Sequence, residues 1–329
     1  TAAEQVGVQG DSLGASSAVT ASVGGAVAAV TGSRLAMLRE GTAYASNDAG
    51  FAAGSGAMAR NVWLRPFGTT VDQSATGGVS GYEADTFGIV GGLDIPLKGG
   101  GGRIGISGSY ASTSIDGDGA GNQQTDIDGV GLNLYGDYTT SAGYLEWLVG
   151  YAWNSNETSR VIDFVTSRAE GEYDSSQYVM AIGAGMPMSI GGTGYFTPSI
   201  GLSHASVEAD TYTETGAGNL NLTVAQADTD VTLGVLGVRL HSVMGNMIPE
   251  LRASMQYDFA SDEAEATATF AGGGTAFNTT GAEVENFGYN LGFGVGWDSE
   301  GTSFSIAYDA GLKSDYLSHT GVAQVTWSF

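Results

Sequence analysis

Cysteine is absent from this 329-residue chain, and proline occurs only 5 times. No disulfide, thiolate nucleophile or cysteine-ligated zinc site is therefore open to it, and the redox compartment is left undetermined. Positive charge is scarce too: 11 Lys and Arg stand against 35 Asp and Glu, a formal net charge of −24. Nucleic acid is a poor partner for such a chain, because binding it means neutralising phosphates with Lys and Arg. Acidic surfaces suit cations or simple solubility instead. Charged residues make up 14% of the sequence, well under the roughly 25% of a soluble domain, which points toward a membrane. Yet no stretch reads as the roughly 20 continuous apolar residues of a spanning helix, which argues against a helical membrane protein. The 54 glycines do not recur at every third position, and 12 Phe, 5 Trp and 15 Tyr run along most of the chain. Collagen and disorder both fail on that count.

What is present divides in two. The opening TAAEQVGVQG has neither the basic nor the apolar region of a signal peptide and reads as a processed end or an excised fragment. Asp11 to Glu40 is rich in small residues and free of aromatics, with Leu35, Met37 and Leu38 beside Arg34 and Arg39. This predicts a helix. Gly24 and Gly25 weaken it by roughly 1 kcal/mol each relative to Ala, so its surroundings must supply much of its stability. Gly41 to Ala59 reads as a Gly/Ala/Ser linker. The expected division is thus 1–60 for helix and linker and 61–329 for a body of strands.

From Asn61 onward the period is two, which sends alternate side chains to opposite faces of a strand. In Phe287-Gly-Tyr289-Asn-Leu291-Gly-Phe293-Gly-Val295-Gly-Trp297 one face is entirely large and apolar and the other holds only glycine and Asn290. A soluble sheet would bury the first face and present charge on the second. Here the large side chains fit hydrocarbon outside, and the bare face fits something closely packed inside. The pattern recurs in Leu145 to Trp153, Pro249 to Tyr257 and Phe304 to Leu312. Charges on the minor face belong in a polar lumen, since Arg on the lipid side at the midplane costs about 2–4 kcal/mol. Arg65, Asp137, Glu146, Glu250, Arg252 and Asp309 are the lumen-facing charges expected on this basis. Trp63 shares its face with Arg65, and its own side is left open. Around Val231 to Leu240 the phase slips between Val235 and Leu236, which predicts a β-bulge or a shifted register.

Twelve such segments follow one another, the last from His319 to Phe329, and an even number is what a single-chain bacterial outer-membrane barrel requires. The fold class is an all-β membrane protein, a twelve-stranded antiparallel transmembrane barrel with an N-terminal helix. Short turns are expected at Lys98 to Arg103, Thr140 to Gly143, Gly191 to Gly194, Gly245 to Asn246 and Ser299 to Gly301. Long loops are expected at Ala111 to Thr125, Asn154 to Ser175, Glu208 to Asp228 and Phe259 to Glu283. In outer-membrane barrels the short turns lie in the periplasm. The long loops, with most of the acids, and the segment Lys313 to Ser318 would then be extracellular, and the C-terminus periplasmic. Trp147, Tyr151, Trp153, Trp297 and Trp327 are expected in interfacial girdles.

The final strand places Ala323, Val325, Trp327 and the terminal Phe329 on its outer face. This ending resembles the signal by which Gram-negative outer-membrane proteins are handed to the barrel-assembly machinery, with Val325, Trp327 and Phe329 carrying it. Upstream, VTGSRLAMLREG (Val30 to Gly41), NVWLRPFG (Asn61 to Gly68) and GYEADTFGIVGGLD (Gly81 to Asp94) resemble the helix-end segment and first two strands of the autotransporter β-domain, the type V secretion family. The resemblance implies that the helix threads the lumen as a plug, with Arg34, Leu35, Leu38 and Arg39 at its wall contacts, and that a secreted passenger precedes it. It also implies outer-membrane lipid and lipopolysaccharide as surroundings, a monomeric barrel and no cofactor. Arg34 and Arg39 would pair with luminal acids such as Glu146, Asp137 or Asp309. Some members cut themselves at an Asn pair within this helix, but the first Asn here is Asn47, so that chemistry is not expected. The alternative reading is a free-standing porin or structural surface barrel without a passenger.

Enzymatic readings are weaker. His204-Ala205-Ser206 puts a base and a hydroxyl on one face of a strand and resembles the His-x-Ser of outer-membrane phospholipase A, but Val207 and Glu208 stand where that motif continues with Asn-Gly. By parity both would face lipid, as a strand-end polar pair. Asp116 to Asp128 resembles a calcium loop, except that Ala120 holds its fifth position and Ile127 its twelfth. Solvated loop charge is the simpler reading. Gly88-x-x-Gly91-Gly92 precedes no helix and carries no nucleotide signal. His241 and His319 stand apart, as interface or loop residues. No catalytic, cofactor or metal site is expected.

Overall fold

The structure, a computed structural model, describes residues 10–45, 61–97, 101–260, 264–281, 285–299 and 302–328. Helix α1 spans Gly10–Ala45. The strands are β1 Asn61–Gln73, β2 Tyr82–Pro96, β3 Gly102–Gly117, β4 Gln124–Thr140, β5 Gly143–Ile162, β6 Ser167–Gly185, β7 Met188–Gly191, β8 Gly194–Ala209, β9 Tyr212–Thr213, β10 Leu222–Gln226, β11 Thr229–Ser242, β12 Met247–Asp258, β13 Glu265–Phe270, β14 Phe277–Thr280, β15 Phe287–Ser299, β16 Thr302–Lys313 and β17 Tyr316–Ser328. Each of the twelve long strands pairs antiparallel with its neighbours, in the order β1-β2-β3-β4-β5-β6-β8-β11-β12-β15-β16-β17. β17 pairs back onto β1, from Asn61 opposite Ser328 to Gln73 opposite Tyr316. That pairing removes every free edge from the wall.

The alternation read from the sequence is the alternation of the wall. Leu132, Leu134, Tyr151, Trp153, Leu251, Leu291, Phe293 and Trp327 are exposed on the outer surface, the face that large apolar side chains present to hydrocarbon in a membrane barrel. Trp63, Arg65 and Phe67 are buried on the inner surface, which settles the side of Trp63. Aromatic rings on this inner face lie flat over glycines of the next strand. A Cβ added to Gly88 would meet the Phe67 ring at 2.3 Å, so only glycine fits there.

Three expectations about strands need correction. No bulge interrupts β11: its pairing with β8 runs unbroken from Thr229 opposite Val207 to Ser242 opposite Gly194. The apparent slip arises because Val231 and Val235 are apolar on the inner face, where Val231 packs against the helix cluster, while Leu236, Val238 and Leu240 stay outside. After β5 the wall strand is interrupted and falls into two, β6 and β7. Pro187, which has no N–H to give the ladder, separates them, and the register with β8 is kept on either side: Gly185 opposite Ser199 and Met188 opposite Phe196. The supposed loop from Asn154 to Ser175 is mostly strand, β5 and β6 continuing as a hairpin whose pairing ends at Ile162 opposite Ser167. β3 and β4 likewise extend into the supposed loop at Ala111 to Thr125.

The two remaining long connections, between β8 and β11 and between β12 and β15, fold together. Their strands β9, β10, β13 and β14 form a second, four-stranded sheet in the order β14-β13-β10-β9. Its inner face buries Tyr212, Leu222, Val224, Ala266 and Ala268 against Tyr173. The turns expected at Lys98 to Arg103 and Ser299 to Gly301, the linker with Asn47 and the terminal Phe329 lie wholly or partly outside the described residues.

Candidate functional site: the helix and its seat in the lumen

Helix α1 is 36 residues long, about 54 Å at 1.5 Å per residue, and exceeds the Asp11 to Glu40 span predicted for it. Ala15–Arg39 is, contrary to the composition argument, long and apolar enough to cross a membrane, with a mean hydropathy of 1.3. It stands inside the barrel instead, in contact with strands around the wall, among them β2, β3, β4, β6, β8 and β11. The reason is that its faces are nearly alike: small apolar and hydroxyl residues surround it, and Ser16, Thr20 and Thr31 are buried along with Val19, Val27 and Val30. Thr20 and Thr31 direct their hydroxyls to carbonyls four residues earlier, so the buried polar groups are satisfied within the helix. Gly24 lets the wall come close. A Cβ there would lie 2.4 Å from Gln177 Nε2 and 2.7 Å from Val179 Cγ2, and Gln177 Nε2 donates to the Thr20 carbonyl at 3.0 Å.

The lower half of the helix carries the charges. Arg34 is 2% exposed, with Nε 3.3 Å from Asp94 Oδ2, and its Nη1 donates to Thr326 Oγ1 at 2.9 Å. Asp94 accepts from Asn61 Nδ2 at 3.1 Å, while Trp63 Nε1 donates to Tyr135 OH at 2.8 Å alongside. Arg39 Nη1 lies 2.8 Å from Glu146 Oε2 and 3.3 Å from Asp137 Oδ2, and its guanidinium sits 3.6 Å from the Tyr144 ring centroid. A planar cation held by two carboxylates and an aromatic face is a site that suits Arg and not Lys. In the opposite sense, the wall reaches the helix through Arg65, whose Nη1 donates to the Val30 carbonyl and, at 2.6 Å, to Ser33 Oγ. Leu35 is buried in the same apolar cluster as Trp63 and Tyr135, and Leu38 is half-buried.

The sequence-derived residues therefore gather in two groups. Arg34, Leu35, Arg39, Arg65, Asp137 and Glu146 meet at the helix. Glu250, Arg252 and Asp309 form a wall-bound chain with Arg239: Arg239 Nε donates to Glu250 Oε2 at 2.7 Å, Arg252 pairs with Glu250, and Arg252 Nη2 lies 2.8 Å from Asp309 Oδ2. Asp309 is thus a partner of Arg252 and not of the helix. Asp94, the actual partner of Arg34, was missed, although its parity with Val90 and Gly92 placed it on the inner face. Val325 and Trp327 lie on the outer face of β17 as expected.

The residues weighed for chemistry are engaged otherwise. His204 meets Thr232 Oγ1 at 2.8 Å through Nδ1 and Tyr178 OH at 3.3 Å through Nε2, which occupies both ring nitrogens and leaves none for Ser206. Asp126 and Asp128 belong to β4, not to a loop, and Asp128 accepts from Tyr110 OH at 2.7 Å on the outer surface. His241 and His319 do not stand apart. The first stacks on Tyr195 with centroids 5.1 Å apart, and the second meets Tyr308 OH at 2.5 Å.

This arrangement has known counterparts. The structure superposes on the translocator domain of autotransporter NalP from Neisseria meningitidis with a TM-score of 0.70 at 17% identity, covering 94% of this chain and 98% of that one. For the transport unit of the autotransporter AIDA-I from Escherichia coli the TM-score is 0.62 at 16% identity, covering 82% and 90%. At these identities the likeness is one of fold. In sequence, the chain is 26% identical over 287 residues to outer membrane protein B of Rickettsia conorii, covering 83% of this chain and 17% of that protein. It is 25% identical over 276 residues to an extracellular serine protease of Serratia marcescens, covering 81% and 26%. The chain thus spans about a quarter of the length of one of these relatives and less of the other. The model of the autotransporter beta-domain matches residues 62–309, which run through the wall from β1 into β16, and this chain belongs to the autotransporter beta-domain family of outer-membrane translocator barrels.

Proposed function

We propose that this barrel passes an N-terminal passenger across the outer membrane, anchors it at the surface, and is then sealed by α1. Residues 1–60 serve as plug and linker and 61–329 as translocator. The long-loop end with its second sheet faces outward, and the short turns and C-terminus face the periplasm. The observation that carries this reading is the seating of Arg34 on Asp94 and Arg39 on Asp137 and Glu146. With these pairs the helix's charged end lies at the short-turn end of the wall and its N-terminal end at the long-loop end, which supports a reading in which the chain preceding the helix emerges on the outer side. A free-standing open porin would have no use for wall carboxylates neutralised by a plug.

The barrel's own part is conduction and anchorage, with chemistry left to whatever it displays. Val325, Trp327 and Phe329 serve as the element read by the assembly machinery, and lipid and lipopolysaccharide surround a monomeric wall. The test is a reporter fused ahead of Thr1 and preceded by a signal peptide, expressed in a Gram-negative host. Added protease should remove the reporter from intact cells while leaving the barrel. A reporter that stays protected while the barrel is correctly inserted would overturn the reading.

A further inference from the structure

The second sheet does more than fill the space above the barrel. Strands β13 and β14 touch the helix, and Tyr173, which holds the sheet's inner face, donates from its OH to Ser16 Oγ at 3.4 Å. Ala15, Ser16 and Ser17, in the upper part of the helix, are only 1, 3 and 5% exposed. The sheet is fastened at one further point. Arg160, near the tip of the β5–β6 hairpin, forms a bidentate pair with Glu214, Nε to Oε1 at 2.8 Å and Nη2 to Oε2 at 2.7 Å. Both are almost fully buried. Arg160 Nη2 also donates to the Leu220 carbonyl at 2.8 Å, and Glu214 Oε2 accepts the Leu222 amide at 2.7 Å. Tyr212 stacks on Tyr173 at 4.8 Å and 12°, and Glu170 and Thr215 exchange backbone hydrogen bonds at 2.9 and 2.7 Å.

With the sheet in this position the mouth admits one helix. Below the sheet, the void left between the helix and β3 to β6 beside Thr20 and Gln177 is about 40 Å³, far short of room for a second strand of polypeptide. In the translocation reading, a passenger whose helix-proximal end leads doubles back on itself, and two segments then occupy the lumen at once.

We propose that strands β9, β10, β13 and β14 form a lid that stands away from the mouth while polypeptide passes, and then closes over the seated helix, latched by Arg160 and Glu214. This inference rests on the translocation reading above. A buried, doubly hydrogen-bonded ion pair suits a latch: while the sheet is closed, losing one partner strands the other's charge in a dry site, whereas lifting the sheet hydrates both partners together.

The native chain lacks cysteine, so Glu170→Cys with Thr215→Cys reports closure alone; directly opposed residues of an antiparallel bridge lie within disulfide reach. The double variant is made in a precursor carrying a cysteine-free passenger, and in the same precursor with a fused, cysteine-free, fast-folding domain that halts passage part-way. In finished chains the disulfide should form nearly completely. In halted chains both thiols should remain open to a maleimide added outside the cell. Equal disulfide formation in the two would overturn the lid. Surface protease on the unhalted chain reports passage by itself, so a passenger that never emerges condemns the translocation reading and the lid's part in it, whatever the thiols do. Independently, Glu214→Gln in the intact barrel should remove hydrogen-exchange protection at Thr215, Leu222, Val224 and the helix from Ser16 to Thr20, with β15 to β17 still protected. Wild-type protection at the lid would refute the latch.

Discussion

The Arg34 guanidinium and the Asp94 carboxylate face each other at 2% and 0% exposure, 3.3 Å apart, deep in a lumen whose outer wall is apolar. Neither has water to fall back on. The pair is therefore worth little relative to a well-packed apolar pair, but breaking one side leaves an uncompensated buried charge, at a cost of about 3–5 kcal/mol. Asp94→Ala should lower the barrel's thermal unfolding midpoint markedly, and Arg34→Leu combined with Asp94→Leu should recover most of the loss. A charge reversal, Arg34→Glu, should be worse than either. Heat-dependent mobility of the folded barrel on gels measures all three variants against wild type. An unchanged midpoint for Asp94→Ala would mean that the pair does not seat the helix.

Arg39 and Arg34 together hold the lower helix to β2, β4 and β5, so removing both should loosen the plug without opening the wall. In planar bilayers the intact barrel should stay closed, and Arg34→Ala with Arg39→Ala should show long-lived openings. Arg39→Lys alone should sit between them, because an ammonium keeps the charge next to Glu146 and Asp137 but loses the planar stack on Tyr144. Closed records from the double variant would contradict this role for the two arginines.

How much of this was legible beforehand follows from where each residue sits. Strand count and facing were plain because hydrocarbon demands large apolar side chains on one face while the other meets a helix of small residues: Phe293 and Leu291 opposite Gly292 and Gly294 cannot be read otherwise. The β11 phase was misread because a closely packed plug makes the inner face apolar as well, so Val231 and Val235 looked like lipid contacts. The helix was visible, but its partner Asp94 was not singled out, since a lone acid near a strand end carries no signal until β2 and the helix are brought together. The lid was invisible for a different reason. Its strands are 2 to 6 residues long and mix Thr and Ala with few larger apolar residues, such as Leu222 and Val224, within polar connections. Only pairing between segments far apart in sequence, such as Val224 opposite Ala268, turns them into a sheet.

Adjacent glycines of α1 offer a matched pair. Gly25 has open space where a Cβ would stand, whereas one on Gly24 would collide with Gln177 and Val179. Gly25→Ala should therefore stabilise the seated helix by about 1 kcal/mol through helix propensity alone. Gly24→Ala has the same propensity gain but must displace Gln177 from its bond to the Thr20 carbonyl, and should lower stability overall. Exchange protection of helix amides from Val19 to Val30 distinguishes the two. If both substitutions behaved alike, the close approach of β6 to the helix would be wrong.

The lid also carries a pH signature. Burial pushes the Tyr212 phenol well above its ordinary value of 10.0, and neighbouring Tyr173 and Glu214 add to the rise, while Arg160 opposes it. A phenol whose folded value is raised contributes its full stability below pH 10 and loses it above, where the displaced, solvated side chain ionises and the closed one resists. Closure should accordingly weaken only at strongly alkaline pH and be indifferent to acidification through this group. The absorbance of tyrosinate, followed in wild type and in Tyr212→Phe, isolates the residue: the difference between the two titrations should show a phenol still protonated when the exposed tyrosines have ionised. A difference curve with its midpoint at or below 10 would mean that Tyr212 is open to solvent and that the sheet does not close over the helix in solution.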